Sequence, residues 1–83
     1  MPEPIQRAKR QVDSALDYQD RKWGQQTHSD LRWLAILAEE FGEVSKEICN
    51  ALEKDRYDPA IELEIAQVAA VCIAWLEQKE RAK

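Results

Sequence analysis

Apolar positions in this chain recur mainly every three or four residues, and no long stretch alternates in the way strands do, which predicts helices and no strands. The first periodic run covers about Pro4 to Asp20, with Ile5, Ala8, Val12, Ala15 and Leu16 on one stripe. Trp23 and Gly24 interrupt it, and 25–29 read as a polar connection. A second run starts at Ser29 or Asp30, either of which can accept hydrogen bonds from first-turn amides, and ends at about Lys54. Its apolar face is expected to carry Trp33, Leu34, Leu37, Phe41, Val44, Ile48, Ala51 and Leu52. Asp58 followed by Pro59, a capping carboxylate and then a proline, predicts the start of a third helix.

That third helix has no polar face to offer solvent. From Ile65 to Leu76 only Gln67 is not apolar. A helix greasy on every side has to be buried on every side, and two companions from one small chain cannot surround it. The pattern therefore predicts an all-α fold: a three-helix protomer that assembles into a multi-helix bundle as a homo-oligomer, either a homodimer or a tetramer. The 83 residues, 1–83, are read as a single domain, too short to bury a generous core without help.

Charge and composition narrow the partners. The formal net charge is −4, with acids and bases interspersed and no basic stripe, so no nucleic acid polymer is expected as a partner. The run 65–76 is too short to span a bilayer, and no membrane partner is expected. No apolar core follows Met1, Pro2, Glu3 and Pro4, which predicts no export signal and a cytoplasmic location. Cys49 and Cys72 stand apart in helical patterns and are expected to be reduced thiols in or near the core.

The candidate chemistry lies in acids beside the apolar stripe. Advancing about 100° per residue from Leu37 puts Glu40, Glu43 and Glu47 on one flank, roughly 60–120° from the stripe, with Glu39 on the far side. Carboxylates three apart on a helix repel, and acids bordering a core lose water, unless a cation compensates. Glu64 and Gln67, also three apart, lie on one side of the third helix. If the second and third helices pack together, Glu40, Glu43, Glu64 and Gln67 can converge as an oxygen donor set suited to Mg2+ or Mn2+. Gln67 inside an apolar helix needs a partner: a carboxylate across the bundle or a metal. Trp23 or Trp33 can stack on a nucleobase or simply pack. Lys22, Lys46, Lys54 and Arg56 can reach a phosphate or remain solvated. His28 reads as capping or surface polarity, and mid-helix Gly42 as a point of close approach.

Positions 37–44 (Leu37, Ala38, Glu39, Glu40, Phe41, Gly42, Glu43, Val44), followed by Glu64, Ile65, Ala66, Gln67, Val68, Ala69, Ala70 and Val71, resemble the MazG-like nucleoside triphosphate pyrophosphohydrolases. That family is all-α and carries an E-x-x-E motif, a spacer, and then E-x-x-D. Lys22, Trp23 and Gly24, with Gln26 and His28, resemble the segment preceding that helix in compact members, so the likeness runs from Lys22 to Glu77. One position departs from the pattern: Gln67 stands where the family has aspartate, and its amide oxygen carries no formal charge for a hard cation.

The resemblance implies hydrolysis of a nucleoside or deoxynucleoside triphosphate to monophosphate and pyrophosphate. It further implies Mg2+ or Mn2+ held by Glu40, Glu43, Glu64 and Gln67, with Glu43 essential and Glu39 or Glu47 orienting the attacking water. Trp23, Lys22 and Lys46 are the expected substrate-binding residues. Two other readings stand beside it: a catalytically degenerate member that only binds nucleotide, and a helical protein-interaction module without chemistry.

Overall fold

A computed structural model of the chain describes residues 3–83 and contains three helices and no strand among them: α1 (Pro4–Trp23), α2 (Asp30–Lys54) and α3 (Ala60–Arg81). Each boundary has a local cause. Before α1, the Glu3 backbone N–H donates to Gln6 Oε1 at 3.0 Å, and Pro4 occupies the first helical position, where a missing N–H is harmless. α1 runs three residues beyond the expected Asp20 and stops at Gly24, whose φ of 70° is open to glycine and strained for other residues. Ser29 caps α2, its hydroxyl accepting from the Arg32 backbone N–H at 3.2 Å. Asp55, at φ 50°, ends α2 in the left-handed conformation. The Asp58 carboxylate accepts from the Ala60 N–H at 2.9 Å, so the expected cap is present one residue further from the helix than its sequence suggested.

α3 runs between α1 and α2 and packs against both, while α1 and α2 make no helix-to-helix contact. The result is a curved layer, 46 × 35 × 19 Å, with a trough on one side whose floor is α3. Its core is thin. Ala15 of α1 meets Ala66 and Ala70 of α3, with Leu16 alongside, and small side chains let these two helices approach closely. On the other flank Trp33 is 1% exposed, its ring stacked on Trp75 at 6.4 Å and edge-on to His28 at 4.9 Å.

Gln78 holds this corner. Its Oε1 accepts from the Trp33 indole N–H at 2.7 Å and the His28 backbone N–H at 2.9 Å, and its Nε2 donates to the His28 carbonyl at 2.8 Å. Asp30 joins the same corner through Lys79 (2.6 Å) and the Trp75 indole N–H (2.9 Å). Those two partners, Lys79 first, hold the exposed Asp30 carboxyl below its ordinary value.

Two expectations about the core need correction. α2 does not turn the whole of its apolar stripe toward α3: Leu34, Phe41 and Leu52 are 53%, 64% and 75% exposed. The half-buried positions are Leu37, Val44 and Ala51, with Glu40 and Glu47 interleaved among them. The stripe is wider than one neighbouring helix can cover. Within a single chain α3 is buried along Ala66, Ala70 and Val71, and Ile65, Ile73 and Leu76 stay exposed, as expected of a helix that one small chain cannot surround. Cys49 is exposed and Cys72 half-buried, and both are free thiols, so Cys49 lies outside the core. None of the helices is long and apolar enough to cross a membrane among the described residues.

Candidate functional site

The trough encloses a cavity of about 1090 Å³, at the upper end of what small-molecule sites occupy. α2 contributes Arg32, Ile36, Glu39, Glu40 and Glu43 to its wall; α3 contributes Leu63, Glu64 and Gln67 as floor. α1 supplies Tyr18, Gln19, Lys22 and Trp23 on the opposite wall. Glu40, Glu43, Glu64 and Gln67, singled out by spacing, therefore share one cavity, and Glu39, which the spacing put on the far side, lines it as well. They arrive there because α2 and α3 run side by side with the Glu-x-x-Glu flank of α2 turned toward the trough.

The acids feel one another. Burial pushes the Glu40 carboxyl above its ordinary value of 4.5, and the charges of Glu64, Glu43 and Glu39 add to the shift, partly offset by Lys22. Glu64 is raised by burial first and then by Glu43 and Glu47. The carboxylates are thus electrostatic neighbours in a partly dry trough. They are not a formed chelate: among the described residues, no group of three or more His, Cys, Asp or Glu side chains could hold a metal ion.

The raised values carry a sign for stability. Between 4.5 and the raised values the folded chain binds more protons than the unfolded one. Stability contributed by Glu40 and Glu64 is therefore fully present below 4.5 and lost as pH rises through their folded-state values. Asp30 and Glu62 have the opposite sign, being lowered, so their contribution is lost as pH falls. Comparing variant with wild type isolates the site. Glu40→Gln is expected to raise the Tm at pH 7 and to leave it unchanged at pH 4, where the native carboxyl is already protonated; equal effects at both pH values would contradict this electrostatic account.

No family model, curated protein or solved structure matches this chain. The site therefore has to be read from its own residues.

Trp23 is 63% exposed and lines the cavity, with the Lys22 ammonium 4.9 Å above its ring and 5.7 Å from the Tyr18 ring. Trp33 also forms part of the wall, but its burial removes it as a stacking surface. Lys46 and Glu47 are not among the cavity's lining residues, although Glu47 is close enough for its charge to act on Glu64. Gln67 has found a partner other than a carboxylate: its Oε1 accepts from Gln19 Nε2 at 2.6 Å, tying α1 to α3. His28 Nε2 is paired with Gln26 Oε1 at 2.7 Å.

Arg32, Tyr18, Gln19 and Gln78 escaped the sequence reading. Arg32 sits about two turns before Glu39 on the same side of α2, and that spacing was the signal available. Gln19 and Gln78 are isolated glutamines whose importance comes from distant residues, 48 positions away for Gln19 and 45 and 50 for Gln78.

Proposed function

We propose that this chain is a metal-dependent nucleotide pyrophosphohydrolase of the MazG-like kind, cleaving a nucleoside or deoxynucleoside triphosphate to monophosphate and pyrophosphate. One observation carries the reading: Glu40 and Glu43 of α2 and Glu64 of α3 line a single cavity with the cationic Lys22 and the exposed ring of Trp23. Acid, base and aromatic surface are the three things a metal-bound nucleotide asks of a protein.

The donor chemistry fits a hard divalent cation. Three carboxylates offer only oxygen, and their mutual repulsion is what a bound cation relieves. Glu40, Glu43 and Glu64 are not grouped closely enough to chelate as they stand; their side chains would close on Mg2+ or Mn2+, which would supply charge neutralisation and polarisation of phosphoryl oxygens. Lys22 and Arg32, on opposite walls, are placed to meet phosphate charge from two sides. Trp23 offers a face on which a base can stack, a contact of about 1–3 kcal/mol. Glu39, exposed at the cavity wall, is the acid free to orient an attacking water. The assembly that does this is a homo-oligomer, because the single chain leaves much apolar surface uncovered.

The test is product analysis by phosphorus NMR over a panel of ribo- and deoxyribonucleoside triphosphates with Mg2+ or Mn2+. Monophosphate and pyrophosphate should appear from at least one of them; absence of turnover across the panel counts against the enzyme. Nucleotide binding without turnover is a second reading, favoured by the Gln19 bond that already occupies the Gln67 amide oxygen. It expects calorimetric binding by the native chain and hydrolysis only in Gln67→Asp. Hydrolysis by the native chain contradicts it.

A further inference from the structure

Gln19 of α1 and Gln67 of α3 are both half-buried, and both line the trough. A glutamine side chain ordinarily reads a donor or an acceptor equally well, because its amide can turn end for end. This pair cannot turn. Gln19 Nε2 lies 3.3 Å from the Gln67 backbone carbonyl oxygen, an acceptor whose character is fixed. That bond holds the Gln19 nitrogen toward α3, and the same nitrogen holds the side-chain oxygen of Gln67 toward α1, at 2.6 Å. Two groups are left over: Gln67 Nε2, which can only donate, and Gln19 Oε1, which can only accept. Among the described residues neither has a hydrogen-bond partner, and neither is shut away from solvent.

A locked N–H donor is a poor group for a cation and a good one for a ring carbonyl or ring nitrogen. It is also well placed. Gln19 precedes Lys22 and Trp23 by three and four residues on α1, so the lock shares a helix face with the exposed indole. We propose that Gln67, locked by Gln19, reads the hydrogen-bonding edge of the substrate's base and distinguishes keto from amino bases, and that it is not a metal ligand. This assignment rests on the nucleotide reading of the trough.

Uracil and cytosine show why the lock matters. At two neighbouring ring positions uracil offers an N–H donor and then a carbonyl, whereas cytosine offers a ring-nitrogen acceptor and then an amino donor. A turning amide accommodates both arrangements. A fixed one meets a like group in one of the two and leaves polar groups unpaired, the mismatch that binding sites reject most strongly.

Uridine and cytidine monophosphates titrated into the isotope-labelled protein without divalent metal isolate the base from both metal and chemistry. One of them should bind at least about 10-fold more tightly, and it alone should shift the Gln67 side-chain amide protons downfield. Gln67→Glu turns the free end from donor to acceptor and should invert the preference. Gln19→Met combined with Gln67→Met replaces both partners by apolar groups of similar length, so the α1–α3 contact survives. In that double variant the preference should vanish while Mn2+ affinity stays at the native value. Equal affinity for the two nucleotides overturns the assignment. So does a preference that survives the double change, or a fall in Mn2+ affinity that accompanies it. The enzyme reading fails separately: base preference without pyrophosphate release leaves this assignment standing, and pyrophosphate release without base preference removes it alone.

Discussion

Glu43→Gln is expected to lower pyrophosphate release by at least about 100-fold, in the range seen when one charge-stabilising group is lost from an active site. The same substitution should make the apo protein slightly more stable at neutral pH. Glu43 is exposed, so its amide isostere creates no cavity, and its charge is one of those that raise both Glu40 and Glu64. Opposite movement of activity and stability is the signature of a residue kept for chemistry against its folding interest. Thermal unfolding and a pyrophosphate assay on one preparation measure both. Retained activity, or activity lost together with several degrees of Tm, would mean that Glu43 is structural.

Trp33→Ala should do the reverse, acting through the fold. Trp33 is the largest fully buried side chain, in a core whose other buried members are alanines and one valine. Its removal takes away the stacking on Trp75, the edge contact with His28 and the indole donor to Gln78. Losses for buried tryptophan run to about 3–5 kcal/mol. A chain of this size has roughly 4–12 kcal/mol in total. The Tm should therefore fall by at least ~12 °C, and the cooperative transition is expected to broaden. Circular dichroism melts of Trp33→Ala beside Trp33→Phe check this, and a loss below about 1 kcal/mol would show that the corner is held by Gln78 and Asp30 alone.

The helices were legible because their punctuation is chemical and local. Pro4, Gly24, Ser29, and Asp58 with Pro59 act within a few residues of themselves, and the observed ends lie within three residues of those the sequence indicates. The acid cavity was legible for a related reason: a three-residue spacing on a helix fixes which side chains are neighbours before any tertiary contact forms.

What the sequence hid is which part of a wide apolar arc faces which neighbour. Glu40 and Glu47 lie between Leu37, Val44 and Ala51 on the side toward α3, so an apolar count centred on Leu37 misjudged the direction and left Leu34 and Phe41 in solvent. Gln78 was hidden differently. A lone glutamine near a helix end has no periodic signature, and its three bonds to His28 and Trp33 exist only once α2 and α3 are packed. Trp23 and Trp33 look alike in sequence and part company on burial, 63% against 1% exposed.

The most direct measurement is paramagnetic broadening of backbone amide resonances as Mn2+ is titrated into the isotope-labelled protein. If the three glutamates share one hard cation, broadening should begin at substoichiometric Mn2+, centre on 39–43 and 63–67, and disappear in Glu40→Gln. Broadening centred on another acid-bearing hollow, near Asp17, Asp20 and Glu77, or spread evenly over the surface acids, would contradict the account.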